Sequence, residues 1–212
     1  MTGATISLDE LERDALTEVV NIGVSRAASS LRKMVKRQVL LSVPSVEIVT
    51  QAAAASLIGQ RESENLVAVK QEFEGAFSGR ALLIFPETKS LELARAVMGD
   101  EATDDQVLEI ESEALAETGN VILNNCLGTM ANMLKQSLKM SLPEIIRGNG
   151  EHLFARTSDA NKSALVLFLY INFSVQDRNI RGYIAMLMDL PSMAALKILI
   201  AGFIDRVTED VG

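Results

Sequence analysis

Sliding the 212-residue chain against itself by 99 positions brings its two halves into register. Asp14, Glu18 and Asn21 fall on Glu113, Glu117 and Asn120, and Pro44 falls on Pro143. In each half 22 residues separate the Asn from the Pro. The chain holds only four Pro, so two on one register already constrain it strongly; the other two also correspond, Phe85-Pro86-Glu87 with Leu190-Pro191-Ser192, at an offset of 105. Self-similarity of this kind marks one supersecondary unit used twice. The change of offset implies a gain of six residues in the second half, and the polar stretch Arg147 to Lys162 is the expected place.

Each half reads as a long helix, an extended segment around its Pro, a hairpin and a shorter helix. The long helices are predicted from Ser7 or Asp9 to Val35, with Ser, Asp and Glu supplying capping chemistry, and from Thr103 or Asp104 to Lys139. Gln38 to Val49 and Ser141 to Ile146 are strand candidates, and their Pro favours an edge or a bulge because it cannot donate to a ladder. The hairpins are Val67 to Phe73 with Arg80 to Phe85, joined through Gly75 and Gly79, and Ala164 to Phe173 with Ile180 to Met188, joined through Gln176, Asp177 and Arg178. Short helices start after Pro86 and Pro191. The expected fold is α+β: a single pseudo-two-fold symmetric domain over residues 1–212, an antiparallel sheet covered by helices, built from repeats of about 1–100 and 101–212. A weak boundary lies near Asp100 to Asp105.

Charge and composition narrow the function. Asp and Glu number 28 against 20 Lys and Arg, a net charge of -8, which offers phosphate backbones and anionic lipid no general attraction. Nucleic acid and membrane are therefore poor partners. One Cys and one His exclude an intramolecular disulfide and a His/Cys zinc cage. The opening residues have no basic segment followed by an apolar one, which leads us to expect a cytoplasmic location. The longest apolar run, Ala164 to Phe173, is too short to span a bilayer and reads as a buried strand.

At 100° per residue, Asp14, Glu18, Asn21 and Ser25 lie within about 60° of one another, while Leu16, Val20, Ala27, Leu31 and Met34 gather on the opposite side. Glu113, Glu117, Asn120 and Asn124 form the matching stripe, opposed by Leu115, Ile122, Cys126, Met130 and Met133. Both stripes are thus expected to face solvent. Asn in a helix interior costs roughly 0.5 kcal/mol relative to Ala, so Asn21 and Asn120 are not residues that helix stability alone would select. Gly23 weakens the first helix further, and a close backbone approach would account for it.

Asp or Ser, three residues, Glu, two residues, Asn, then 22 residues to a Pro resembles the signature of the CheC/CheX/FliY phosphatases of bacterial chemotaxis. The words Glu18-Val-Val-Asn21-Ile-Gly23 and Glu117-Thr-Gly-Asn120-Val-Ile122 carry the likeness, and two copies are most similar to CheC. Glu113 departs from the pattern, which has Asp or Ser there. The resemblance implies hydrolysis of the phosphoaspartate of a phosphorylated CheY-type response regulator. It implies Asn21 and Asn120 as the residues that orient the attacking water, and Glu18 and Glu117 as partners of the regulator's active-site lysine. Asp14, Glu113, Pro44 and Pro143 flank these residues. No cofactor or metal of its own is implied; magnesium is expected on the regulator. CheD, a receptor deamidase, is a further partner implied by the likeness to CheC.

The competing reading is a non-catalytic flagellar-switch or CheD-binding adaptor of the same fold, similar to the middle domain of FliM. Both Glu/Asn pairs speak against it, as does a length that leaves no room for an extra switch domain. Small apolar residues beside the stripes, Ile22 with Val121 and Ala28 with Leu127, suit either a transient interface or burial against a neighbouring helix. Cys126 is expected to be a buried hydrophobe, His152 an exposed loop residue, and the acidic residues from Asp100 to Glu113 a favourable helix start.

Overall fold

The computed structural model describes residues 6–62, 65–98, 103–155, 165–175 and 178–209. Gln176 and Asp177 of the expected hairpin turn, parts of the expected insertion and half of the Asp100 to Asp105 boundary fall outside them. Helix α1 (Glu10–Val35) starts at a capping box: the Glu12 backbone N–H donates to Asp9 Oδ1 (2.8 Å) and the Asp9 N–H to Glu12 Oε2 (2.9 Å). Helix α4 (Asp104–Met133) starts the same way with Thr103 and Gln106. Both stop at a left-handed lysine, Lys36 (φ 53°) and Lys135 (φ 55°), again 99 positions apart. The expected continuation of the second helix to Lys139 is corrected: beyond Lys135 the Gln136 N–H turns back to the Ala131 carbonyl, and the chain becomes extended.

The two Pro-containing segments are each broken into two strands, β1 (Val39–Ser42) with β2 (Val46–Thr50), and β5 (Leu138–Met140) with β6 (Glu144–Gly148). Pro44 and Pro143 sit in the gaps, where no ladder hydrogen bond is required of them. The hairpins are β3 (Leu66–Gly75) with β4 (Gly79–Pro86), and β7 (Leu165–Val175) with β8 (Arg178–Met188). Helices α3 (Glu87–Met98) and α6 (Leu190–Glu209) follow them, α6 being much longer than expected. Two further helices escape the sequence reading. Helix α2 (Gln51–Arg61) is capped by Thr50, whose hydroxyl accepts from the Ala53 N–H, and α5 (Gly150–Phe154) is capped by Asn149.

All strands pair antiparallel in one eight-stranded sheet ordered β1-β7-β8-β4-β3-β5, with β2 beside β1 on the outer edge of β7, and β6 beside β5 on that of β3. Each half therefore lends its broken edge strand to the hairpin of the other. Leu41 opposes Phe173 as Met140 opposes Phe73, so the offset is 100 for β3 and β7; the hairpin registers then give 101 for β4 and β8. Only one residue is gained before β7, which moves the expected insertion. Most of the gain falls between β8 and α6. With an offset of 101, the cross-strand pair Leu83–Ile184 maps onto itself, so the pseudo-dyad passes through it.

Side-chain alternation divides the strands between two cores. Odd-numbered residues of β3 and β7, including Val67, Val69, Leu167, Leu169 and Ile171, pack under α1, α3, α4 and α6. Even-numbered Leu66, Ala68, Val166 and Phe168 pack under α2 and α5. Helices α1 and α4 touch directly at Gly23, where a Cβ would lie 2.8 Å from Cys126 Cα and 3.2 Å from the Asn125 carbonyl oxygen. The close approach expected of Gly23 is thus present. Among the described residues no helix is long and apolar enough to cross a membrane.

Candidate functional site

Asp14 and Glu18 on α1, and Glu113 and Glu117 on α4, are exposed as their helical positions require. Neither Glu18 nor Glu117 has a hydrogen-bond or ion-pair partner among the described residues. The two carboxylates are therefore available to a cation from outside. A shallow surface depression of about 330 Å³ runs along α1 between Glu18, Asn21, Ile22, Ser25, Arg26 and Ser29.

The asparagines differ from the expectation of a fully solvent-facing stripe. Both are half-buried, because each carboxamide is tied into the structure beneath it. Asn21 Nδ2 donates to the Val43 carbonyl (3.0 Å), and the Val43 N–H donates to Asn21 Oδ1 (2.9 Å). Val43 lies in the gap between β1 and β2, is only 2% exposed, and has no strand partner there. The Asn21 side chain supplies both missing hydrogen bonds. This clamp is the physical content of the Asn-to-Pro spacing in the first half. It uses one N–H and one lone pair, leaving one of each on an amide whose orientation is fixed.

The second half solves the same problem with other groups. Ser141 bridges the gap, donating its N–H to the Glu72 carbonyl (2.9 Å) and accepting from the Glu72 N–H at its hydroxyl (2.9 Å). Asn120 does not reach Leu142, the counterpart of Val43, which is 85% exposed. Instead Asn120 Oδ1 accepts from Asn124 Nδ2 (2.7 Å) and from Gln71 Nε2 (3.1 Å), and Gln71 Nε2 also donates to the Ser141 carbonyl (2.9 Å). Val43 and Gln71 belong to the site although the motif spacing does not point to them. Gln71 left a signal, being the one polar residue in the inward series Val67, Val69, Gln71, Phe73.

Residues beside the stripes are mostly core neighbours: Leu127 is buried, Val121 and Ala28 are half-buried against the central cluster, and Ile22 is half-buried on the edge of the depression along α1. Cys126 is fully buried, and burial pushes its thiol up to about 12. His152 is exposed, on α5 and not in a loop. Glu111 is a buried member of the expected acidic run, paired with Arg147 (2.6 Å) and Ser90 (2.5 Å). Among the described residues no group of three or more His, Cys, Asp or Glu is placed to hold a metal ion.

Two family models match the chain, that of the chemotaxis phosphatase CheX over residues 67–168 and that of the CheC-like family over residues 11–48. The first motif lies in one match and the second in the other. The CheY-P phosphatase CheC of Bacillus subtilis (strain 168) is 26% identical over 141 residues, 65% of this chain and 67% of its own length. The flagellar motor switch phosphatase FliY of the same organism is 26% identical over 140 residues, 65% of this chain but 36% of its own, so the chain spans about a third of that relative. The crystal structure of Thermotoga maritima FliY superposes with a TM-score of 0.72 at 16% identity, covering 93% of this chain and 100% of that one.

Proposed function

Because the chain belongs to the CheC/CheX/FliY family, we propose that it hydrolyses the phosphoaspartate of a phosphorylated CheY-type response regulator. The observation that carries this reading is the pairing, on two helices of one sheet face, of an exposed unpartnered glutamate with an asparagine whose amide is held in place one turn further on.

An acyl phosphate is intrinsically reactive, so little covalent chemistry is left for a second protein to supply. Phosphoryl transfer depends on in-line placement of the nucleophile and on charge stabilisation. Glu18 or Glu117 pairs with a lysine beside the phosphoaspartate and seats the helix against the regulator. Asn21 or Asn120 then lies where its carboxamide can hold a water. The water oxygen bonds to phosphorus as the bond from phosphorus to the aspartyl oxygen breaks. The electron pair leaves with the aspartate carboxylate, and inorganic phosphate departs. Magnesium, which this reading places on the regulator, would offset charge on the phosphoryl oxygens. An amide pinned by hydrogen bonds loses little entropy when it captures the water, which is why its ties to the scaffold favour catalysis.

The test is phosphate release from a purified phosphorylated CheY-type regulator with and without this protein. Release is expected to accelerate, and to fall to the regulator's own rate with Glu18→Lys and Glu117→Lys together. An unaltered rate with the intact protein would refute the proposal.

A further inference from the structure

The halves differ at one buried position beneath the motifs. Gln71 stands on β3 where the register puts Ile171 on β7. Both side chains face the α1 and α4 layer, and both are buried, at 0% and 2% exposure. A buried carboxamide is costly unless its atoms are paired, and Gln71 is paired at one end only. Its Nε2 donates to Asn120 Oδ1 and the Ser141 carbonyl, while its Oε1 is buried with no partner. An apolar residue serves the first half at this place without difficulty. Gln71 adds a bond to the Ser141 carbonyl and a grip on Asn120.

With Gln71 and Asn124 both donating to it, Asn120 Oδ1 has used both lone pairs. Asn124, whose own Oδ1 is buried without a partner, could turn together with this amide, but Gln71 could not, because its Nε2 is also held by the Ser141 carbonyl; turning Asn120 over would set an N–H against that fixed donor. Asn120 Nδ2 has no partner among the described residues and is not one of the buried atoms lacking one, so it faces the surface. We infer that Gln71 is a positioning residue of the second site, holding the Asn120 carboxamide with its oxygen inward and its N–H groups toward the water of a docked regulator; this rests on the phosphatase reading above. One N–H takes one lone pair of the water and leaves the other directed at phosphorus. The first site presents one donor and one acceptor, so the two sites are chemically unequal.

Gln71→Met tests this, since it keeps the volume while removing both the grip and the orphaned oxygen. The variant is expected to melt no lower than the parent. The first site is silenced with Glu18→Lys, an exposed position that should not disturb folding. In that background Gln71→Met is expected to lower kcat for phosphate release roughly tenfold with KM unchanged, because Glu117 still docks. Added to Asn120→Ala, it has no amide left to misplace and should cause no further loss. Equal kcat with and without Gln71→Met overturns the assignment, as does a fall that persists without Asn120 or that follows a lowered melting point. A Glu18→Lys protein that is inactive while the parent is active also overturns it, since the second site would then contribute nothing. A parent that fails to accelerate release refutes the phosphatase reading itself, and the Gln71 assignment with it.

Discussion

Replacing each motif asparagine by alanine should have unequal effects on stability. Asn21→Ala removes two hydrogen bonds, at 3.0 and 2.9 Å, and strands the N–H and C=O of Val43, a residue 2% exposed. A lost hydrogen bond is worth about 0.5–1.5 kcal/mol, and a stranded buried group about 1–3 kcal/mol. Alanine returns roughly 0.5 kcal/mol of helix propensity, and the edge segment can relax enough for water to reach one of the two groups. The net loss is then about 2–4 kcal/mol. Asn120→Ala removes only an acceptor: Gln71 keeps the Ser141 carbonyl, and Asn124 is half-buried, so the net loss stays within about 1 kcal/mol. Urea unfolding followed by circular dichroism would show the difference. At an m-value of about 2–3 kcal/mol/M the Asn21→Ala midpoint should fall by roughly 1 M, and that of Asn120→Ala by a third of this or less. Equal midpoints for the two variants would show that the Val43 clamp does not hold the edge strand. A catalytic assay that relies on Asn21→Ala must accordingly be read together with its stability.

Three further outcomes are expected. Glu18→Lys and Glu117→Lys together, both at exposed positions, should weaken binding of the phosphorylated regulator at least about tenfold in a titration, through like-charge contact with its lysine, with circular dichroism unchanged; an unaltered affinity would remove the docking role. Gly23→Ala drives a Cβ to 2.8 Å from the Cys126 Cα, a backbone atom that cannot move aside alone. The overpacking costs about 1–3 kcal/mol against the propensity gained, so thermal melting should fall, and a raised melting point would contradict the contact. The Cys126 thiol, held up at about 12 from an ordinary 9.0, should resist an aromatic disulfide reagent at pH 8 until the chain is unfolded. Above about pH 9 the unfolded thiol ionises while the folded one cannot, so stability should decline as pH rises, and Cys126→Ala should flatten that decline.

The sequence made the motif legible because a helix converts spacing directly into direction: Asp14, Glu18 and Asn21 had to share a face, and Leu16, Val20 and Ala27 had to oppose it. The hairpins were legible from apolar alternation. Less visible was everything that depends on partners distant in the chain. The helical position of Asn21 points it to solvent, and nothing local reveals that Val43, in a strand gap 22 residues on, needs both of its backbone groups satisfied. The true end of the second helix is hidden in the sequence because Leu134 and Leu138 continue an apolar pattern across the left-handed Lys135. Helix α2 is hard to see in the sequence because Ala52 to Ala55 has high helix propensity but little amphipathic contrast, while its cap, Thr50, also ends a strand. The position of the extra residues is not legible from the local words around Pro86 and Pro191; strand register shows that the junction before α6 absorbs most of them.

The exchange of edge strands between halves bears on how such a chain is made. Strands β1 and β2 have no partner within their own half; they wait for β7, whose pairing residues Leu165 to Val175 come more than a hundred positions later. At a synthesis rate of about 5–20 residues per second, the nascent N-terminal portion spends roughly 5–25 s with an unfinished sheet margin. During that interval its apolar strands carry the hazard of any unpaired strand edge, pairing with the wrong neighbour.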